Sequence, residues 1–224
     1  MQNVEHLYPT IDKGYSERGA SHGRGAWTEA PEGPVTLRQL PINTGGYDPG
    51  GAYWGTPSNL YYATDGHSFR YFVRADNWHL AAADIRIASG FAGEFQRDTL
   101  TELLGGYVEA MLHTERVDTE GDDESSFRDY GYDISSLTPA ALEKARAICA
   151  EFLQKAVELN LRDAPLDEAG HNIWYDAQGH GSGFHDTPSK WGGDMIAHHL
   201  FTAAEGLPEI QEVVLNDNEE IEIR

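Results

Sequence analysis

A regular recurrence of apolar positions in the second half of the chain predicts a long amphipathic helix. Across residues 138–161, apolar side chains return every three or four positions and charged side chains occupy the opposite side. Thr138 is a favourable N-cap, and Pro139 suits the first helical position. The single cysteine, Cys149, falls on the apolar side, which predicts a buried packing residue rather than a nucleophile.

Shorter apolar runs in the first half of the chain predict strands. Residues 35–42 alternate weakly between apolar and polar, and residues 60–63 and 69–73 are rich in aromatic and branched side chains. The dipeptide Asp65-Gly66 favours a hairpin between the last two runs, with a loop longer than two residues.

Further elements complete the predicted order along the chain. Asp76 or Asn77 is a good N-cap for a helix that passes through Ile85. The remaining predictions are helices over residues 98–113 and 195–204, hairpin strands at 173–175 and 183–185, and a closing strand at 209–215.

These elements predict an α+β fold in which an antiparallel or mixed sheet packs against the long helix of the C-terminal half. We expect four regions along the chain. They are a flexible or extended arm at 1–34, an N-terminal α+β lobe at 35–117, an acidic linker loop at 118–137 and a C-terminal α+β lobe at 138–224.

Charge narrows the possible partners. The chain has 37 acidic and 16 basic residues and a net charge of −21. Such a surface repels nucleic acid and anionic membranes at long range, so direct nucleic-acid binding and membrane binding are not expected. The expected partner is a basic protein. It could be a protein that normally binds nucleic acid, whose negative charge this chain would imitate. The competing interpretation is that the acidity only maintains solubility.

The remaining composition indicates a cytoplasmic protein. One cysteine allows no intrachain disulfide, which fits a reducing compartment. The first residues lack the pattern of a signal peptide, and no stretch approaches the roughly 20 apolar residues of a membrane span. The sequence leaves the oligomeric state open.

Two segments dense in glycine, aromatic residues and histidine hold the candidate chemistry. They are GGYDPGGAYWG at residues 45–55 and GHNIWYDAQGHGSGFHD at residues 170–186. Glycine permits unusual backbone shapes, and large aromatic side chains can line a pocket, so both segments are predicted as shaped loops that meet in one concave surface. Core packing of Tyr53 and Trp54 is the alternative. The predicted lining is Asp48, Tyr53, Trp54, Trp174, His180 and His185.

The histidines of the second segment are the best candidates for chemistry. Imidazole is a good ligand for divalent transition metals, so His171, His180 and His185 form a candidate metal site. His180, with Asp186, is the candidate acid–base residue, because its glycine neighbours leave the imidazole accessible. The alternative is a tight structural turn with no cofactor, which is the interpretation we prefer.

The two segments resemble a recurrent pattern in uncharacterised proteins of bacteriophages and plasmids. The second pattern usually runs Gly-His-Asp-Phe-Trp and then Gly-His-Gly-Ala-Gly-Phe-Trp-Asp; here Asn172 and His185 depart from it. The resemblance implies a mobile-element origin, and hence the cytoplasm of a host cell, but no particular activity. The matching positions of the second segment are Gly170, His171, Trp174, Gly179, His180, Gly181, Gly183, Phe184 and Asp186.

Two functions therefore remain open. The preferred one is an acidic accessory protein of phage or plasmid type that binds a basic host protein. The alternative is a small metal-dependent or His-dependent hydrolase that uses His171, His180 and His185. No complete catalytic constellation can be written from the residues, so the sequence leaves enzyme status undecided.

Overall fold

The structure is a computed structural model that describes residues 24–25, 31, 33–40, 59–67, 69–117, 125–156, 159, 161 and 164–224. The chain divides into two units between Thr99 and Leu100. This boundary differs from the predicted one at 118–137, because the helix that starts at Thr99 belongs almost wholly to the second unit. Most of the predicted arm at 1–34 lies outside the described residues.

A five-stranded mixed sheet forms the first unit. Its strands are β1 (Arg24–Gly25), β2 (Val35–Leu40), β3 (Asn59–Thr64), β4 (Arg70–Ala75) and β5 (Phe95–Arg97), in the spatial order β1-β4-β3-β2-β5. All neighbours are antiparallel except β2 and β5, which are parallel. The three strands predicted in this part of the chain are confirmed as β2, β3 and β4.

The turn between β3 and β4 is held by one aspartate. Asp65 Oδ1 accepts hydrogen bonds from the backbone N–H of His67 at 2.8 Å and of Phe69 at 3.1 Å. Gly66 takes a φ of +83°, which glycine adopts without steric cost. The hairpin loop is therefore longer than two residues, as the sequence predicts.

One helix covers a face of this sheet. Helix α1 (Trp78–Ser89) begins after Asn77, whose side chain accepts a hydrogen bond from the Leu80 N–H at 3.0 Å. The Trp78 indole N–H donates to the Leu37 carbonyl at 2.9 Å and joins the helix to β2. The shared core contains Val35, Leu37, Tyr61, Ala63, Val73, Ala81 and Ile85.

The second unit is mainly helical. Its helices are α2 (Thr99–Thr114), α3 (Pro139–Lys155), α4 (Leu166–Ala177), α5 (Pro188–Trp191) and α6 (Asp194–Glu205), and a small antiparallel hairpin of β6 (Val213–Leu215) and β7 (Ile221–Ile223) closes it. Helix α3 packs against β7. The α+β fold class is therefore confirmed. The long helix packs on the small sheet of its own unit, and the tail after residue 216 supplies β7.

Helix α3 begins and packs as its sequence predicts. The Thr138 hydroxyl accepts a hydrogen bond from the Ala141 N–H at 3.1 Å, and Pro139 occupies the first turn. Cys149 is fully buried, as predicted, and burial raises the pKa of its thiol well above the ordinary range. The helix ends at Lys155 rather than near residue 161.

Helices α2 and α4 cross at two glycines. A Cβ atom on Gly170 would overlap the Leu103 carbonyl oxygen and lie 2.6 Å from the Tyr107 backbone nitrogen. On the other helix, a Cβ atom on Gly106 would overlap the Asp167 carbonyl group. The two backbones therefore touch at a place where only glycine fits on either side.

The predicted hairpin strands at 173–175 and 183–185 are wrong. The first lies in α4 and the second in a 3₁₀ turn, Phe184–Asp186. The physical reason is the helical spacing of the buried side, which outweighs the strand preference of the Ile-Trp-Tyr run. The buried residues of α4 are Leu166, Ala169, Gly170, Ile173 and Trp174.

The described part of the predicted acidic linker is folded chain. Phe127 is buried, and Asp133 caps a 3₁₀ turn, Ile134–Ser136, by accepting a hydrogen bond from the Ser135 N–H at 2.8 Å. Residues 118–124, which contain the densest acidic run, lie outside the described residues. Among the described helices, none has the length and hydropathy needed to cross a bilayer.

Candidate functional site

The second glycine-rich segment forms a tight turn after α4. Gly179 and Gly181 take φ values of +70° and +75°, which favour glycine. The His180 backbone N–H donates to the Tyr175 carbonyl at 2.9 Å, which closes the helix end. The glycines therefore reverse the chain and return it along α4.

Two aspartates hold the chain where it leaves this turn. Asp186 Oδ2 accepts the Gly183 N–H at 3.0 Å, and Asp176 Oδ2 accepts the Phe184 N–H at 3.1 Å. A Cβ atom on Gly183 would overlap the Asp176 carboxylate, so a larger residue here would displace that carboxylate. Phe184 itself is fully buried and stacks on Phe152 with ring centroids 5.8 Å apart.

Asp176 is the most perturbed carboxyl of this region. Burial raises its pKa to about 6, and the negative charges of Asp186 and Glu205 act in the same direction. The hydrogen bond from Phe184 and the nearby His185 oppose the rise without cancelling it. Ionisation of this half-buried carboxyl at neutral pH therefore destabilises the folded protein.

We expect Asp176→Asn to stabilise the protein by about 1 kcal/mol at pH 8, since the half-buried position reduces the full linkage effect. The folded-state pKa lies above the ordinary value, so this carboxyl favours folding only at low pH, and that contribution is lost as pH rises from about 4 to about 6. Asparagine stays neutral and can still accept the Phe184 N–H. Urea denaturation at pH 8 and pH 5 measures the difference, which should shrink at pH 5.

Asp217→Asn is the matched control, because it removes the same charge from an exposed position of the same unit. A variant Asp176→Asn that is less stable than the wild type at pH 8 would show that the ionised carboxylate is stabilised rather than strained.

His180 lies on the aromatic residues that precede it. Its ring centroid is 6.2 Å from that of Trp174 and 6.1 Å from that of Tyr175. Its charge also acts on Glu115, near the end of α2: burial raises the pKa of Glu115, and His180 opposes that rise. Glu115 is absent from the predicted site, because nothing near it in the sequence marks it as a neighbour of His180.

His171 belongs to a different environment. It lies on α4 near Glu109 and His113 of α2, and burial lowers its pKa while Glu109 opposes the change. Glu109 Oε1 is itself held by Arg128 Nε at 3.2 Å and His113 Nε2 at 3.3 Å. This ion-paired group joins α2 to the chain that follows it.

His185 has a third set of neighbours. It lies in the 3₁₀ turn, and its imidazole centroid is 5.5 Å from that of His198 and 4.6 Å from the Phe201 ring, both on α6. The pairing with His198 was not predicted from the sequence.

The predicted metal site of His171, His180 and His185 is therefore not assembled. Each histidine has its own neighbours, because the segment is a helix followed by a turn rather than a hairpin that brings its ends together. Among the described residues, no group of three or more His, Cys, Asp or Glu side chains could hold a metal ion.

The predicted pocket lining needs two corrections. Trp174 is only 1% exposed and belongs to the core, where its indole N–H donates to Thr114 Oγ1 at 2.7 Å. Asp186 accepts the Gly183 N–H and, among the described residues, forms no hydrogen bond or ion pair with His180, so the predicted acid–base pair is not formed. Asp48, Tyr53 and Trp54 lie outside the described residues, and a surface shared with the first segment stays a prediction.

An open groove of about 760 Å³ runs beside α6. Lys155 of α3 and Met195, His198 and His199 of α6 contribute to its lining. Lys155 Nζ is already paired with Glu151 at 2.9 Å. Met195 is 74% exposed, so the groove is a shallow surface feature.

Charge is distributed unequally between the two units. Residues 100–224 contain 26 of the 37 acidic residues and 8 of the 16 basic ones, and so account for 18 of the 21 net negative charges. The final hairpin is a concentrated part of this surface, with exposed carboxylates that we call the acidic hairpin face: Glu209, Glu212, Asp217 and Glu219. The one basic residue beyond Lys190 is Arg224, which pairs with Glu212 and Glu222.

No family model, curated protein or solved structure matches this chain.

Proposed function

We propose that this chain is an acidic accessory protein of phage or plasmid type, and that its second unit binds a basic protein of the host. The observation that carries the proposal is the concentration of net negative charge in residues 100–224. Complementary charge speeds association and selects partners of opposite sign, so the expected partner presents a basic patch.

The acidic hairpin face carries its carboxylates on an ordered backbone. Strands β6 and β7 pair from Val213 to Ile223, and the turn between them is held by Asn216. Asn216 Oδ1 accepts the N–H of Asn218 at 2.9 Å and of Glu220 at 3.0 Å. Charges held on an ordered backbone lose less conformational entropy on binding than charges on a disordered tail, which favours a specific partner.

The same charge argues that the partner is a protein. Phosphate backbones and anionic lipid surfaces would both be repelled, so we propose neither direct nucleic-acid binding nor membrane binding. A basic protein that normally binds nucleic acid fits best, because its surface is already suited to regularly spaced negative charge. The resemblance to phage and plasmid proteins supports a host-cell partner and a cytoplasmic location.

The hydrolase alternative lacks comparable support, because it needs His171, His180 and His185 to meet and they have three separate sets of neighbours.

The test is capture of host proteins, followed by a binding measurement between the chain and each captured protein. The chain is immobilised, and bacterial lysate is applied at low salt. Each protein that salt elutes is then purified, and its Kd for the chain is measured with no other protein present. We expect a partner of net positive charge whose Kd rises at least about tenfold between about 50 and 300 mM NaCl. A short DNA duplex should compete with the chain for that partner.

Charge variants distinguish binding through the acidic hairpin face from a general effect of the chain's net negative charge. Glu209→Gln with Asp217→Asn and Glu219→Gln should raise Kd at least about fivefold at low salt. The control removes three exposed carboxylates from the first unit: Asp76→Asn, Asp84→Asn and Glu94→Gln. Equal weakening by both variants, or a partner that binds without salt dependence, would contradict the proposal.

A further inference from the structure

Two exposed histidines on different elements of the second unit lie close together. His185 lies in the 3₁₀ turn and His198 on α6, with imidazole centroids 5.5 Å apart and ring planes tilted by 34°. Within the described chain, neither imidazole makes a hydrogen bond or an ion pair. Their ring nitrogens are therefore available to a ligand from solution.

The separation suits a shared metal ion. An ion that binds two imidazole nitrogens at about 2.0–2.1 Å in tetrahedral geometry places the ring centroids roughly 5 Å apart. The observed 5.5 Å is close to this value, and both side chains are exposed, so each can rotate to turn a ring nitrogen toward a shared ion. The Phe201 ring, 4.6 Å from His185, supports that imidazole from one side.

The electrostatic setting favours a cation. His185 lies close enough to Asp176 to lower the pKa of that carboxyl, and the carboxylates of Asp186 and Glu205 act on the same group, so three acidic side chains lie near the His185 end of the pair. The ε-ammonium of Lys155, which lines the adjoining groove, is paired with Glu151. A divalent ion at the two imidazoles would meet a field that attracts it.

We propose that His185 and His198 form a two-histidine surface site for a divalent transition metal of the Zn²⁺, Ni²⁺ or Cu²⁺ class. Imidazole suits these ions and is a poor ligand for Mg²⁺ or Ca²⁺. Since the described residues supply no third ligand at this point, water completes the coordination and the site is open on its outer side. This site replaces the three-histidine set that the sequence suggests: His185 keeps its role, and its partner comes from α6.

The test uses the full-length chain without a histidine tag. Calorimetric titration with ZnCl₂ and NiCl₂ at pH 7.5 in a non-coordinating buffer should show one ion bound per chain. His185→Ala and His198→Ala should each weaken that binding at least about tenfold, since each removes one of two protein ligands. Both imidazoles are exposed, so circular dichroism should show that the two variants keep the wild-type fold.

His199→Ala is the matched control, because His199 is an exposed neighbour on α6 and is not paired with His185. Its affinity should stay within about twofold of the wild type. Electron paramagnetic resonance of the Cu²⁺ form should report two imidazole nitrogens in the wild type and one in either single variant. No binding by the wild type, equal loss in His199→Ala, or retained binding in the other two variants would each overturn the proposal.

Discussion

Replacing Gly170 by alanine is expected to destabilise the second unit by about 4 kcal/mol or more, enough to leave much of it unfolded. The added methyl would overlap the Leu103 carbonyl and the Tyr107 backbone nitrogen on α2. Neither atom can move alone, because both belong to a helix backbone. Ordinary helix propensity favours alanine over glycine by about 1 kcal/mol, so a large loss can come only from the crossing of the helices.

Urea denaturation followed by far-ultraviolet circular dichroism measures this loss. Gly206→Ala is the control, since the atoms nearest to an added methyl there are the flexible end of Lys155 at 3.3 Å and a backbone carbonyl at 3.4 Å. If Gly170→Ala were as stable as the wild type, the backbone contact between α2 and α4 would be disproved.

Trp174→Ala is expected to cost about 3–5 kcal/mol, as removal of a fully buried indole usually does. The ring lies edge-on to Tyr107 with centroids 5.3 Å apart, and its N–H donates to Thr114 Oγ1. Trp174→Phe should cost about 2 kcal/mol, because it keeps most of the apolar volume and loses the hydrogen bond.

The control for this series is Met195→Ala, because Met195 is largely exposed and its loss should change stability by less than about 0.5 kcal/mol. Denaturation midpoints of the three variants give the comparison. A Trp174→Ala protein with wild-type stability and reduced partner binding would restore the predicted role of Trp174 as a binding residue.

The elements with strong local signals could be predicted from the sequence. Helix α3 has an N-cap, a proline in its first turn and an unbroken apolar side, and strands β3 and β4 are joined by an Asp-Gly turn. Each of these signals lies within a few residues of the element it specifies, so no knowledge of the rest of the fold is needed.

Helix α4 shows where local signals fail. Its Ile173-Trp174-Tyr175 run favours a strand, and Gly170 looks like a loop residue. The role of Gly170 depends on the backbone of α2, which contacts it from far away in sequence. Helical packing then decides the structure of the segment, and no single window of sequence contains both halves of that contact.

Local sequence signals are equally limited in predicting the candidate sites. The sequence correctly marks His180 as accessible, because glycines surround it. It cannot assign Glu115 to His180 or His198 to His185, since both pairs depend on how α2 and α6 pack beside the turn. Burial of Asp176, which raises its pKa, also becomes visible only when Phe184 folds back along α4.

The most direct test of the proposed function is hydrogen–deuterium exchange of the chain with and without its purified basic partner. We predict that binding slows amide exchange most strongly over residues 209–224, which include the acidic hairpin face, and that the protection disappears at high salt. Protection confined to residues 35–97, or protection that survives high salt unchanged, would contradict the account.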